Sequence, residues 1–134
     1  MIMNKKLDIQ QLMEQHVVLA KIIRENNKIV TDQGTLTVVQ FYLLSQINSK
    51  KTEFETSKFS KKMDQNQSSV SAMISRMVRR GYLTSELGND DRRKHEFKLT
   101  DKGQQLYKVA LNRVTMQMMD EYHLILKQLG INTD

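Results

Sequence analysis

Seven residues between positions 67 and 76 (Gln67, Ser68, Ser69, Ser71, Ala72, Ser75 and Arg76) and four at a turn (Asp91, Arg92, Arg93 and Lys94) have types and spacing suited to recognition chemistry. Short hydroxyl and amide side chains hydrogen-bond to base edges without holding a backbone away from them, and an alanine can touch a thymine methyl. Arginine and lysine at a turn supply the donors that a phosphate or a minor groove accepts, and Asp91, two positions before Arg93, can orient its guanidinium. Catalysis fits these residues poorly. Asp90 and Asp91 are adjacent at an exposed turn without the desolvated pocket that acid/base work requires. There is no Ser/His/Asp arrangement and no glycine loop to cradle a phosphate, so no enzyme is expected.

Elements of particular kinds must hold these groups. Val70, Met73, Ile74, Met77 and Val78 recur at the spacing of one apolar helical stripe, which leaves the opposite face to the small polar residues. Asn66 is a good N-cap, and Arg79, Arg80 and Gly81 form a stop signal. Beyond it, Tyr82 to Leu87 and Lys94 to Leu99 suit strands, joined through the turn formers Gly88, Asn89, Asp90 and Asp91, so the tip of this hairpin is the charged turn. A first helix is expected from about Leu7 to Val30, with Gly34 breaking the pattern. Thr37 and Gln40 can form a capping box for a helix ending near Ile47. After the polar stretch Asn48 to Glu55, a short helix from about Thr56 to Met63 precedes Asn66 by a tight turn. The last helix starts at the N-cap Thr100, with Asp101 in its first turn, and continues with a break or bend towards Leu129.

Three segments carry a family likeness: LTVVQFYLLSQI (Leu36 to Ile47), NQSSVSAMISRMVRRGYL (Asn66 to Leu83) and NDDRRKHEFKLTDKGQQL (Asn89 to Leu106). In this order and spacing the chain resembles the MarR family of winged-helix transcription regulators, the most specific sign being an Asp-Arg-Arg wing, a strand, and then Leu-Thr-x-x-Gly opening a helix. The resemblance implies a mainly α fold with a small β-hairpin wing (α+β), a winged helix-turn-helix core flanked by N- and C-terminal dimerisation helices. The domain reading is a single unit over 1–134, with the core over about 35–99 and dimerisation helices over about 7–31 and 101–129. It also implies a repressor that inserts two helices into successive major grooves of a palindromic double-stranded operator, and release by a small aromatic or anionic effector. One departure is informative: many members carry an arginine after the Ser/Thr-Val-Ser/Thr run, where this chain has Ala72, and with Gln67 able to pair with adenine this leans towards A·T-rich half-sites.

Composition agrees. The net charge is +6, and the stretch from Lys50 to Lys108 holds 14 basic and 8 acidic residues, so all of the excess lies around the expected recognition elements. A localised basic surface is what phosphate neutralisation requires. With no cysteine, disulfides, thiolate metal sites and thiol redox sensing are excluded. No apolar run approaches a membrane span and the N-terminus lacks a signal-peptide core, so no membrane partner and a cytoplasmic location are expected. Leu106, Val109, Ala110, Val114, Met118, Tyr122, Ile125, Leu126 and Leu129 supply more apolar surface than a wing-sized domain covers, and a homodimer follows as the economical way to bury it.

No cofactor or metal is expected. Met116, Met118 and Met119 read as adaptable core filler, and His16, His95 and His123 are scattered, with Glu14 and Glu121 each two residues from a histidine and facing another way. A protein-interaction module, binding another regulator or a polymerase subunit through the basic face, is the alternative from another functional class; RNA binding is a third.

Overall fold

In the computed structural model, the residues described are 8–49, 53–87, 95–128 and 130. Among them the chain forms six helices and four strands, the strands paired in two separate antiparallel hairpins.

Helix α1 (Ile9–Glu25) is capped by Asp8, whose carboxylate accepts from the Gln10 N–H at 3.0 Å, and it ends at Asn26, whose side chain donates to the Ile22 carbonyl at 2.8 Å. None of its residues is buried. The chain then makes a hairpin, β1 (Lys28–Thr31) with β2 (Gly34–Thr37), pairing Ile29 with Leu36. This corrects the expectation of one helix to Val30, and so the N-terminal helical span of 7–31. Ile29, Val30 and Thr31 are three consecutive β-branched residues, which favour a strand. Thr31 closes the turn: its hydroxyl donates to the Gly34 carbonyl at 2.7 Å and accepts from the Gln33 N–H at 3.1 Å, while Gly34 takes φ 147°. Ile29 and Leu36 point into the core, 2% and 1% exposed.

Helix α2 (Val38–Asn48) opens with the capping box in place, Thr37 accepting from the Gln40 N–H at 3.1 Å and Gln40 accepting from the Thr37 N–H at 3.0 Å. Thr37→Ala is expected to lower the unfolding free energy by about 1 kcal/mol, read as a lower urea midpoint; an unchanged midpoint would mean that the cap carries no stability. Helix α3 (Thr56–Lys62) lacks a side-chain cap, and the Glu55 carboxylate lies 3.2 Å from the Lys58 ammonium. A turn with Asp64 at φ 51° leads into α4 (Gln67–Arg79), which Asn66 caps by accepting from the Ser68 N–H at 2.8 Å.

Strands β3 (Leu83–Leu87) and β4 (His95–Leu99) pair Leu83 with Leu99 and Ser85 with Phe97. Thr100 then caps α5 (Asp101–Gln117), accepting from the Gly103 N–H at 3.0 Å, and a break at Met118 separates α5 from α6 (Met119–Gln128), the bend the pattern suggests. The core joins Leu43 and Leu44 of α2, Phe59 of α3, Val70, Ile74 and Met77 of α4, Leu83 of β3 and Leu106 and Ala110 of α5. Phe54, ahead of α3, meets Phe59 at 5.7 Å and Phe97 of β4 at 6.0 Å between ring centroids, which ties the second hairpin to the helical core. The methionines divide. Met118 fills the bend at 9% exposure, whereas Met116 and Met119 are 74% and 53% exposed and so are not core filler in this chain. No described helix is long and apolar enough to cross a membrane.

Candidate nucleic-acid interface

Helix α4 has to bury Val70, Met73, Ile74 and Met77 to complete the core, and that decides which of its residues face outward. Gln67, Ser68, Ser69, Ser71, Ala72, Ser75 and Arg76, the residues singled out in this helix, are all exposed. Helical periodicity divides them into three sectors. Gln67 and Ser71 lie on the flank towards the second hairpin, in a groove of about 730 Å³ that Ser57, Phe54, Ile74 and Phe97 also line. Ser69 and Arg76 lie on the other flank, in a cleft of about 830 Å³ shared with Ile23 of α1, Val38 and Val39 of α2 and Tyr122 of α6. Ser68, Ala72 and Ser75 form the crest between the flanks, with Ser75 also at the lip of the first groove.

Arg79 also belongs to this crest, exposed and one helical turn after Ser75 and Arg76. Reading it only as part of a stop signal hid that position, although counting four residues on from Ser75 finds it. Ser68 is partly committed elsewhere, since its hydroxyl donates to the Asn66 carboxamide oxygen at 2.6 Å and leaves its lone pairs as the available recognition group. Asp91, Arg92, Arg93 and Lys94, and with them the turn expected from the sequence, lie outside the described residues.

The far end of α4 is held by the segment that opens α5. Gly81 turns the chain at φ 82°, with its N–H donating to the Val78 carbonyl at 2.9 Å and the Tyr82 N–H to the Met77 carbonyl at 2.9 Å. The next three carbonyls point away from the helix and meet donors from the α5 end. Lys102 Nζ donates to the Arg80 carbonyl at 2.9 Å, the Thr100 hydroxyl to that of Gly81 at 2.5 Å, and the Thr100 N–H to that of Tyr82 at 3.1 Å. The Lys102 ammonium also sits 4.9 Å from the centroid of the Tyr82 ring.

In the cleft beside α1, burial and then the neighbouring Glu121 carboxylate push the Tyr122 phenol above its ordinary pKa, so it remains a neutral donor. Among the described residues, no three His, Cys, Asp or Glu side chains stand close enough to hold a metal ion.

The MarR family pattern matches residues 36–95, from β2 to the start of β4. No curated protein matches the chain in sequence. Several solved structures match in fold. A mutant of MarR from E. coli complexed with operator DNA has a TM-score of 0.64 at 21% identity, over 94% of this chain and 85% of that one. A MarR/EmrR family transcriptional regulator from Acinetobacter sp. ADP1 gives 0.63 at 18% identity, over 94% and 96%. The adhesin competence repressor AdcR from Streptococcus pyogenes gives 0.62 at 17% identity, over 91% and 84%. At these identities the likeness establishes the fold, mainly helical α+β with the hairpin in the wing position.

Proposed function

We propose, from the match of residues 36–95 to the MarR family pattern, that the protein is a sequence-specific transcription regulator of double-stranded DNA that acts as a repressor from a palindromic operator. The observation that carries this reading is the outward face of α4: six polar or basic residues, Ala72 and Arg79 are all exposed on the second helix of a helix-turn-helix. Ser68, Ala72 and Ser75 on that crest are too small to keep the backbone from the floor of a major groove, and Arg79 at its end is a cation long enough to reach a phosphate. The similar fold of a MarR mutant complexed with operator DNA supports DNA as the partner.

Each chain contributes one α4, so a palindrome requires two chains. Support for a homodimer comes from the flanking helices: Ile9 and Val17 of α1, Met116 at the end of α5 and Leu124 of α6 are 73%, 65%, 74% and 58% exposed. A two-fold arrangement that covers them presents the two α4 helices about one DNA turn, ~34 Å, apart. Residues 8–25 and 101–128 then serve dimerisation around the winged core, and Arg92, Arg93 and Lys94 reach the flanking backbone or minor groove. A small aromatic or anionic effector suits the cleft between α1, α6 and α4, where Arg76 supplies a cation and Tyr122 a neutral hydroxyl. Such a molecule releases DNA to the extent that it prefers the non-binding spacing of the two α4 helices.

Selection of random duplex DNA by the purified protein at physiological salt tests this reading. Enrichment of a palindrome with half-sites about 10 bp apart is the expected result, and weak, salt-sensitive binding without enrichment would turn the reading towards a protein partner. On the selected site Gln67→Ala is expected to cost roughly 1–3 kcal/mol and less on random DNA; an equal loss on both would make Gln67 a backbone-positioning residue.

A further inference from the structure

We propose that Lys102 is a positioning residue of the DNA-binding unit, which fixes the end of the recognition helix and the root of the wing on the first turn of α5. The proposal rests on the DNA-binding reading above. The carbonyls of Arg80, Gly81 and Tyr82 follow the last turn of α4, where a chain normally turns to water for its hydrogen bonds. Here the donors of all three come from residues 100 and 102, some 20 positions on in the sequence. Two of them, the hydroxyl and the N–H of Thr100, belong to the cap that starts α5 and are unavoidable once the helix forms. Lys102 is different in kind. Its side chain is free to extend into water, yet it folds back across Gly81, with its Cδ and Nζ 3.8 and 3.9 Å from where a Cβ on that glycine would stand.

Two attractions fold it back. The ammonium meets the Arg80 carbonyl at 2.9 Å, at the negative end of the α4 dipole, and it lies 4.9 Å from the Tyr82 ring centroid. Both receiving groups lie on the short link between α4 and β3, so this side chain adds to the Thr100 bonds a further tie that fixes the orientation of the link relative to α5. Val78 and Arg79 precede the link and Leu83 follows it, so its orientation governs how the exposed crest of α4 and the second hairpin stand relative to each other.

A lysine near DNA has a simpler use as a phosphate contact, and the two roles predict different results. Lys102→Met keeps the stem and removes the donor, whereas Lys102→Arg keeps a donor and a cation. As a positioning residue, Lys102→Met lowers affinity for the selected duplex roughly 5- to 10-fold with an unchanged salt dependence, and Lys102→Arg restores most of it. As a phosphate contact, the same substitution would reduce the salt slope by about 1 per chain, and that result overturns the proposal.

A second measurement needs no DNA. Because the chain has no cysteine, Glu86→Cys on β3 and Asn112→Cys on α5 give two unique spin-label sites in the full-length protein. Labelled chains are diluted into an excess of unlabelled ones, so that only distances within one chain are read. Lys102→Met broadens or shifts the distance distribution and Lys102→Arg leaves it as in the parent. A distribution for Lys102→Met that superposes on the parent overturns the proposal. If the parent protein itself selects no DNA sequence, the functional reading fails, and the label distances alone decide whether Lys102 holds the link.

Discussion

Replacing Gly103 by alanine is expected to lower the unfolding free energy by about 2 kcal/mol or more, although the substitution sits in a helix, where alanine is usually the better residue by ~1 kcal/mol. Gly103 is buried in the first turn of α5, against the backbone of Tyr82. A Cβ built there overlaps the Tyr82 carbonyl and crowds its carbonyl carbon at 3.0 Å and its Cα at 3.3 Å. No flexible side chain is in the way, so relief has to come from moving one backbone against the other. Moving α5 outward breaks the bonds from Thr100 to the Gly81 and Tyr82 carbonyls, at 2.5 and 3.1 Å, and draws Leu106 out of the core. The contest is therefore between a modest gain in helix propensity and a backbone collision with lost hydrogen bonds, and the collision wins. A urea denaturation series decides it, and a midpoint equal to or above the parent's would show that the α5–Tyr82 contact has slack.

A carboxylate on the flank of α4 should have its large effect on binding instead. Ser71→Glu is expected to reduce affinity for the selected operator by about 2–6 kcal/mol across two half-sites, through loss of a base contact and repulsion from phosphates. Ser71 is exposed, and glutamate is a good helix former, so the denaturation midpoint should stay within about 0.5 kcal/mol of the parent. That separation makes the substitution informative. Intact affinity with an intact fold would remove α4 from the interface, while loss of both together would mean that the side chain has a structural role its exposure does not suggest.

Local features of the chain were the legible ones. The α4 stripe, the Asn66 and Thr100 caps, the Thr37/Gln40 capping box and the bend near Met118 each depend on residues within a few positions of one another, and pattern counting reaches that far. The first hairpin was hidden because Ile22, Ile23, Ile29 and Val30 extend an apolar pattern that a helix could share, and Asp32-Gln33-Gly34 is a weaker turn signal than Asp-Gly or Asn-Gly. Tertiary pairing with Leu36 decided the matter. Met116 and Met119 show a different gap, because spacing identifies an apolar face without saying whether one chain has anything to put on it. The Lys102 contacts had no periodic signature at all, since a side chain that meets carbonyls some 20 residues away is specified only by the folded chain. Of the candidate interface, the outward exposure of the α4 residues was legible by type and spacing, and Arg79 was hidden only by reading it as part of a stop signal.

The absence of any buried residue in α1 also bears on how much protein a cell must hold for the regulator to work. Seventeen residues in isolation are close to the length at which a helix in water is only marginally formed. In a homodimer that covers Ile9, Val17 and Ile23, the stability of this helix is supplied by mass action and rises with the chain's own concentration. With the proposed homodimer as the operator-binding form, occupancy would increase more steeply than the number of chains, because each added chain would complete the fold of its partner as the dimer forms.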